Sequence, residues 1–340
     1  MELVSENIKV KSIEKDSLFP LGRGSGRRAV VLFNLGGPDS LEAVEPFLAN
    51  LFSDRDIFKL PFQNTLAKFI ARKRAPKVIE EYKLIGGKSP IGHWTELQRI
   101  MLEENLRKLN FDVDVFIAMR YWNPLTKEAV MKVEKGNYDK IILLPLYPHF
   151  SVSTTGSSFN EWKRFYKGDE SRLIYINNYY DNEVYCKSIN QRIDETLLKF
   201  PEDVRKDVQL VFSAHGTPVS YVKKGDPYSH QIKKTIELVM KQRNNSHEYH
   251  ECFQSKVGPV KWLEPATDKM IEELAVKGKK HLLIIPISFV SDHVETLFEL
   301  DIEYRHVAKK AGIENYIVMT GLNDSEIFIE ALTEIVKYKM

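Results

Sequence analysis

Short apolar runs alternate along this chain with stretches whose apolar residues recur every three or four positions. The runs at 29–35, 113–119, 140–146, 208–214 and 280–287, with weaker ones near 248–254 and 315–319, read as strands. The most continuous of them suit strands buried on both faces. Helical periodicity and start signals place helices at 39–52, 63–73, 76–85, 93–108, 126–134, 218–243, 265–275 and 325–338. Strands that alternate with helices imply parallel sheets in an α/β fold.

One stretch stands out. The apolar run through Ile287 breaks at Ser291-Asp292, a helix-start pair. The helix expected from there carries Glu295, Glu299 and Glu303 at steps of four, a drift of only about 40° per step. All three carboxylates therefore share one face. Like charges so spaced oppose one another by roughly 0.2–0.5 kcal/mol per pair and raise one another's pKa. The opposite face is apolar, with Val294, Leu297 and Leu300, and lysines are scarce before Lys309. Two readings stay open here. The row is a path for protons or cations to a site at a strand's C-terminal end, or it is a solvated face.

The two halves of the chain resemble each other. W-N-P-L-T at 122–126 matches W-L-E-P-A-T at 262–267, and Pro124 and Pro265 are offset by 141 (265 − 124). Thr126 and Thr267 keep that offset, as do Pro145 and Pro286 inside the matching runs I-I-L-L-P-L and L-L-I-I-P-I. Gly36-Gly37-Pro38 and Gly216-Thr217-Pro218, each after a strand, are offset by 180 (218 − 38), so the first half carries 39 extra residues (180 − 141). Two domains of one fold, facing each other across a cleft lined by strand ends, are expected. The Gly-Gly-Pro turn is no nucleotide fingerprint, because it lacks the third glycine of the dinucleotide pattern and the lysine of a P-loop.

The best candidate for the excess is 47–77. It combines Phe47, Phe52, Phe58, Phe62 and Phe69, which look exposed, with the basic end Arg72, Lys73, Arg74 and Lys77. An amphipathic, aromatic and basic segment suits a membrane surface. The alternative is an ordinary helical hairpin packed on the core.

Composition narrows the class. The 340 residues allow two domains, and 43% hydrophobic with 28% charged residues is enough for proper cores. A net charge of +2 gives no reason to expect nucleic acid as a partner. The two cysteines, Cys186 and Cys252, lack metal-ligand spacing and suit a reducing compartment. No apolar run reaches the length of a membrane span. Residues 1–27 read as a polar arm, since Glu2, Glu6, Glu14 and Asp16 and the missing apolar segment do not fit a secretory signal. Oligomeric state, monomer or homodimer, stays open.

Candidate chemistry gathers at strand ends. His215 follows V-F-S-A, with Gly216 beside it leaving room for a ligand. A histidine near carboxylates accepts protons or holds a divalent cation, and a lone histidine at a strand end is also commonly structural. The first-half counterpart of the acidic stretch, Y-P-H-F-S-V-S-T-T-G-S-S at 147–158, offers hydroxyls and amides that could hold carboxylates near a helix start. Arg120, Tyr121 and Trp122 end the second strand and suit a flat acidic ligand, with an ion-pair role for Arg120 as the alternative.

Taken together, F-N-L-G-G-P at 33–38, I-G-G-K-S-P-I at 85–91, the 147–158 segment, F-S-A-H-G-T-P at 212–218, Q-S-K-V-G-P at 254–259 and F-V-S-D-H-V-E-T-L-F-E-L-D at 289–301 resemble the ferrochelatases. These enzymes insert ferrous iron into a porphyrin, and the likeness covers about residues 28–340. It implies two similar Rossmann-like domains, each a four-stranded parallel sheet flanked by helices, with porphyrin in the cleft. The first domain would span 28–178 and be completed by the C-terminal helix at 322–340, with the second at 179–321. It also implies a lyase acting at the last step of heme synthesis, with protoporphyrin IX and Fe²⁺ as partners. F-S-D-R-D and I-G-G-K-S-P-I look more like the protoporphyrin-using branch. Coproporphyrin, another metal, or tetrapyrrole binding without chemistry are the alternatives.

Residue by residue, the resemblance implies His215 and Glu295 at the metal and in catalysis, with Glu299 and Glu303 as a proton or metal path. Leu35, Arg120, Tyr121, Ser151, Ser153 and Trp262 would line the porphyrin site, and Ser291, Asp292 and His293 would support it. The 47–77 segment matches the family's membrane-facing lip, so a peripheral position at a bacterial inner membrane is expected, or else the matrix side of the mitochondrial inner membrane. Some members carry a [2Fe–2S] cluster on cysteines. Val152 stands at one of those cysteine positions, so no permanently bound cofactor is expected.

Overall fold

A computed structural model describes residues 26–255 and 260–340. All but the last two residues of the arm expected at 1–27, and most of Q-S-K-V-G-P, lie outside the described residues. Strand β1 (Arg28–Asn34) pairs in parallel with β2 (Val113–Met119) and β3 (Lys140–Pro145), and β4 (Leu173–Tyr175) adds to β3. In the second half β5 (Gln209–His215) lies between β6 (Tyr249–Gln254) and β7 (His281–Pro286), with β8 (Asn315–Val318) outside β7. The orders β2-β1-β3-β4 and β6-β5-β7-β8 are the same. The central strands are buried on both faces, as their unbroken apolar runs require.

The internal repeat reaches single hydrogen bonds. The Met119 amide donates to Pro124 O at 2.8 Å, and the Phe253 amide donates to Pro265 O at 2.9 Å. Both matched prolines follow cis peptide bonds. Helices α4 (Thr126–Lys135) and α9 (Thr267–Val276) start at the matched threonines. After β3 and β7 the chain enters π-helix in both halves, at Val152–Gly156 and at Glu295–Glu303.

The excess residues form α1 (Val44–Phe52) and α2 (Gln63–Leu84), a helical hairpin with its own core of Val44, Leu48, Phe52, Ala67, Ala71, Ala75 and Tyr82. Two helices were expected where α2 runs unbroken through Pro76. An interior proline costs about 3 kcal/mol. Here Ala67, Ala71 and Ala75 before it and Tyr82 after it are buried in the hairpin core, which holds the helix together on both sides of the proline. Of the five aromatics that looked exposed, Phe52 is buried and Phe47 and Phe58 are packed against the hairpin core. Phe62 (91% exposed) and Phe69 (64%) alone of the five stand clear.

The helices expected near 218–243 are α7 (Val219–Lys223) and α8 (Tyr228–Gln242), separated at Gly225-Asp226-Pro227. Helix α3 (Ile91–Lys108) precedes β2, α5 (Ser157–Phe165) precedes β4, α6 (Glu183–Leu197) precedes β5 and α10 (Tyr304–Ala311) precedes β8. The last helix, α11 (Glu326–Lys337), packs on α3 and α6. Its Phe328, Ile329 and Leu332 share one buried cluster with Leu102 and Leu106 of α3, Ile189 and Ile193 of α6 and Leu210 of β5. The two halves are therefore joined by a continuous core.

Candidate active site

His215 is the last residue of β5, beyond the end of the β7 ladder. It still pairs with Gln254 of β6, and on the β7 side two side chains hold its backbone: its amide donates to Ser288 Oγ at 2.9 Å, and its carbonyl accepts the Tyr228 hydroxyl at 3.0 Å. Gly216 was expected from the sequence to leave room for a ligand, but its α-carbon faces protein instead. A Cβ there would meet Gln254 O at 2.6 Å and the Trp262 ring at 3.3 Å, so the glycine permits close packing.

The imidazole of His215 faces Glu295, the first residue of the π-helix, with Nε2 3.8 Å from Oε2; both side chains are partly exposed. Gln254 Nε2 lies 3.5 Å from the same oxygen. His293 is buried, and its Nδ1 sits 3.1 Å from Ser291 O, so Nδ1 carries the proton. That leaves the Nε2 lone pair 4.0 Å from Glu295 Oε2. Burial lowers the His293 pKa, and Glu295 opposes that shift. Phe289 stacks its ring edge between the two histidines, 6.2 Å from His215 and 4.3 Å from His293. The group therefore presents two imidazole nitrogens and a carboxylate, suited to taking protons and to a loose hold on a divalent cation.

Glu299 lies behind Glu295. Its carboxylate accepts the Ser255 amide (2.9 Å), the Ser255 hydroxyl (2.6 Å) and the Tyr304 hydroxyl (2.9 Å). Burial first, then the Glu295 charge, raises its pKa. Glu303 is exposed. Glu81 of α2 feels the Glu303 charge, and burial raises its pKa too. The helix expected here is a π-helix, whose longer turn (i→i+5) still keeps steps of four nearly aligned. The row thus runs from a partly exposed carboxylate beside His215 to the surface.

The first-half residues are placed less simply. Leu35 and Ser153 are partly exposed. Trp262 is also partly exposed and lies against the Gly216 backbone. Tyr121 is 1% exposed and donates its hydroxyl to Asp54 Oδ2 at 2.7 Å. Arg120 pairs with Asp54 at 3.0 Å and Glu161 at 3.6 Å, and donates to Ser157 Oγ at 2.8 Å. Its ion-pair alternative is what the structure contains. Ser151, also 1% exposed, gives its hydroxyl to Asp226 Oδ2 at 2.9 Å. Tyr121 and Ser151 were expected to line the porphyrin site; both are buried, and their hydroxyls donate to the buried carboxylates of Asp54 and Asp226.

The supporting triplet is buried. Ser291 Oγ accepts from Gln98 of α3 at 3.1 Å. Asp292 accepts the Gly321 amide (3.0 Å) and the Asn323 side-chain amide (2.7 Å), with Thr296 Oγ1 at 3.0 Å. These bonds fix the start of the π-helix to α3 and to the turn before α11. Asp54, Gln98, Asn323, Asp226, Tyr228, Ser255 and Tyr304 were not singled out from sequence. All but Gln98, which lies within α3, sit at a turn, a strand end or a helix start, and all but Tyr304, whose partner Glu299 is five residues away, act through a partner distant in the chain.

Comparison with known proteins agrees with this architecture. The Ferrochelatase family model matches residues 27–340. A ferrochelatase of Geotalea daltonii is 47% identical over 318 residues, covering 92% of this chain and 98% of its own length. One from Aquifex aeolicus is 46% identical over 314 residues, covering 92% and 99%. Among solved structures, SirB from Bacillus subtilis with Fe³⁺ shares the fold at a TM-score of 0.53 and 14% identity, covering 92% of this chain and 94% of its own. The chelatase-like protein DR2241 from Deinococcus radiodurans does so at 0.52 and 10%, covering 91% of this chain and 55% of its own. The chain belongs to the ferrochelatase family, a family of metal chelatases.

Proposed function

We propose that the protein inserts Fe²⁺ into protoporphyrin IX, releasing two protons and forming protoheme, the terminal step of heme synthesis. The observation that carries this is the His215–Glu295 pair, 3.8 Å apart at the end of β5, with Glu299 and Glu303 leading outward from it. A free porphyrin is planar, and its two pyrrole N–H groups block metal entry. Insertion requires a nitrogen lone pair to tilt out of plane and both protons to leave. A rigid wall that fits a bent ring better than a flat one lowers the barrier by differential binding. Leu35 and Trp262 supply apolar wall, backed by the Asp54–Arg120–Tyr121 network.

His215 and Glu295 take the pyrrole protons and position the iron as it enters. Four Fe–N bonds form, two N–H bonds break, and the iron keeps its oxidation state. Glu299 and Glu303 pass the protons outward from Glu295, with the buried His293 beside that carboxylate as its support. A pair of ligands holds iron weakly enough to release it to the ring. The F-S-D-R-D and I-G-G-K-S-P-I segments favour protoporphyrin over coproporphyrin. No resident cluster takes part: Cys186 and Cys252 are buried, and burial pushes both thiols up to about 12.

The hairpin lip supplies a peripheral membrane contact. Phe62 and Phe69 project beside exposed Lys68, Arg72 and Lys73, the pattern of a segment lying in an anionic interface. Among the described residues no helix is long and apolar enough to cross a membrane. The test is metalloporphyrin absorbance after mixing protein with Fe²⁺ and either protoporphyrin IX or coproporphyrin III. Faster product with coproporphyrin would overturn the substrate assignment.

A further inference from the structure

The second half begins its long helix with Gly225-Asp226-Pro227-Tyr228, a sequence that reads only as a turn and a helix start. In the structure it does more. Asp226 is buried and binds across to the first half: Oδ2 accepts the Ser151 hydroxyl (2.9 Å) and the Val152 amide (2.8 Å). Its other oxygen accepts the Tyr228 amide at 3.0 Å. The Tyr228 ring runs buried past His149, centroids 6.1 Å apart, and its hydroxyl donates to the His215 carbonyl at 3.0 Å. Beside this path, Gln231 accepts the Phe150 amide at 2.7 Å, which keeps the same two segments in register.

His215 lies where strand pairing with β7 has ended. Its other edge still pairs with Gln254 of β6, and Ser288 at its amide and Tyr228 at its carbonyl complete the hold on its backbone. The Tyr228 phenol is held protonated by burial, so it is a constant donor. The Asp226 carboxylate has no cation partner within ion-pair distance among the described residues, and three N–H and O–H donors satisfy it. This is a directional clamp between a first-half loop and a second-half helix.

We propose that Asp226 and Tyr228 are positioning residues for the chelation reaction: they form a strut that ties the Ser151–Val152 loop of the first half to the backbone of His215. Neither side chain touches the reacting atoms. The strut makes the distance from His215 to the opposite wall, against which the porphyrin rests, a fixed quantity. This inference rests on His215 acting at the porphyrin nitrogens, as set out above.

The test is steady-state chelation of Fe²⁺ by protoporphyrin IX with Tyr228→Phe, Asp226→Asn, the double variant and His215→Ala, together with thermal unfolding of each. Tyr228→Phe keeps the ring and its packing and removes only the tie to His215. A misplacement of about 1 Å at a reacting group can cost on the order of 10²-fold, so a kcat loss of about tenfold is expected. The metal KM should rise while the porphyrin KM stays within about twofold, a split that a general loss of stability does not produce. Asp226→Asn should act in the same direction. The double variant should be no worse than the poorer single one, because both break one chain of contacts. If Tyr228→Phe does not fold, Asp226→Asn carries the test, since it leaves the tyrosine in place. Parent-like kcat and metal KM in the strut variants, with His215→Ala inactive, would overturn the strut alone. Retained turnover in His215→Ala would overturn the role of His215 and the strut with it.

Discussion

Glu299 holds Ser255 by two hydrogen bonds, from its amide at 2.9 Å and its hydroxyl at 2.6 Å. Ser255 has a left-handed backbone, φ 62°, which a non-glycine residue rarely adopts. The middle carboxylate of the acidic row therefore fixes the turn that ends β6 as well as lying on the way from Glu295 to solvent. Replacing Glu299 and Glu303 together by glutamine should slow turnover by about tenfold or more, the scale of a lost proton-transfer group, and leave porphyrin affinity unchanged. Parent-like turnover in the double variant would return both to ordinary surface charges.

Asp54 is the anchor of the lip. It is buried and takes hydrogen bonds from Tyr121 (2.7 Å) and Ser157 (2.5 Å) beside its ion pair with Arg120. Removing one partner of a buried ion pair costs about 3–5 kcal/mol, and Asp54→Ala also strands two hydroxyls. Urea unfolding should show a loss of about that size. A loss below about 1 kcal/mol would mean that Glu161 and water replace the carboxylate.

His149 gives a pH signature. Burial lowers its pKa to about 3. The unfolded chain binds a proton near pH 6.5 and the folded one does not, so this stability is present above about 6.5 and is lost as pH falls toward 3. Between pH 7 and pH 5 the loss should be roughly 2 kcal/mol. Denaturant unfolding of His149→Gln, which cannot charge, should show a correspondingly smaller drop over that interval. Equal drops in both proteins would show that His149 does not stay neutral.

Phe62 and Phe69 carry the membrane reading. Phe62→Ala with Phe69→Ala should weaken sedimentation with anionic vesicles by at least about tenfold, since burying one such ring contributes about 1.5–3 kcal/mol. Chelation of soluble porphyrin should be unaffected. Unchanged sedimentation would leave the lip as a hairpin with two exposed rings.

The fold was legible because its signals are local and repeated. Unbroken apolar runs mark strands buried on both faces, and the 141-residue offset of Pro124 and Pro265 recurs in the structure as matching backbone bonds from Met119 and Phe253. His215 and Glu295 were legible through strand ends and helical spacing. What was not legible depends on partners far apart in sequence. The acidic stretch is a π-helix, Pro76 sits inside α2 because α2 residues on both sides of it are buried in the hairpin core, and the hydroxyls of Tyr121 and Ser151 donate to Asp54 and Asp226. Residue type and spacing do not show which hydroxyls are taken up by buried carboxylates far away in the chain.

The central claim is that His215 and Glu295 perform the insertion. The direct measurement is the rate of metalloporphyrin formation from protoporphyrin IX and Fe²⁺ by the parent, His215→Ala and Glu295→Gln, alongside porphyrin binding by fluorescence quenching. Abolished insertion with porphyrin affinity largely intact in both variants is the predicted result. Near-parent turnover in either variant would contradict it.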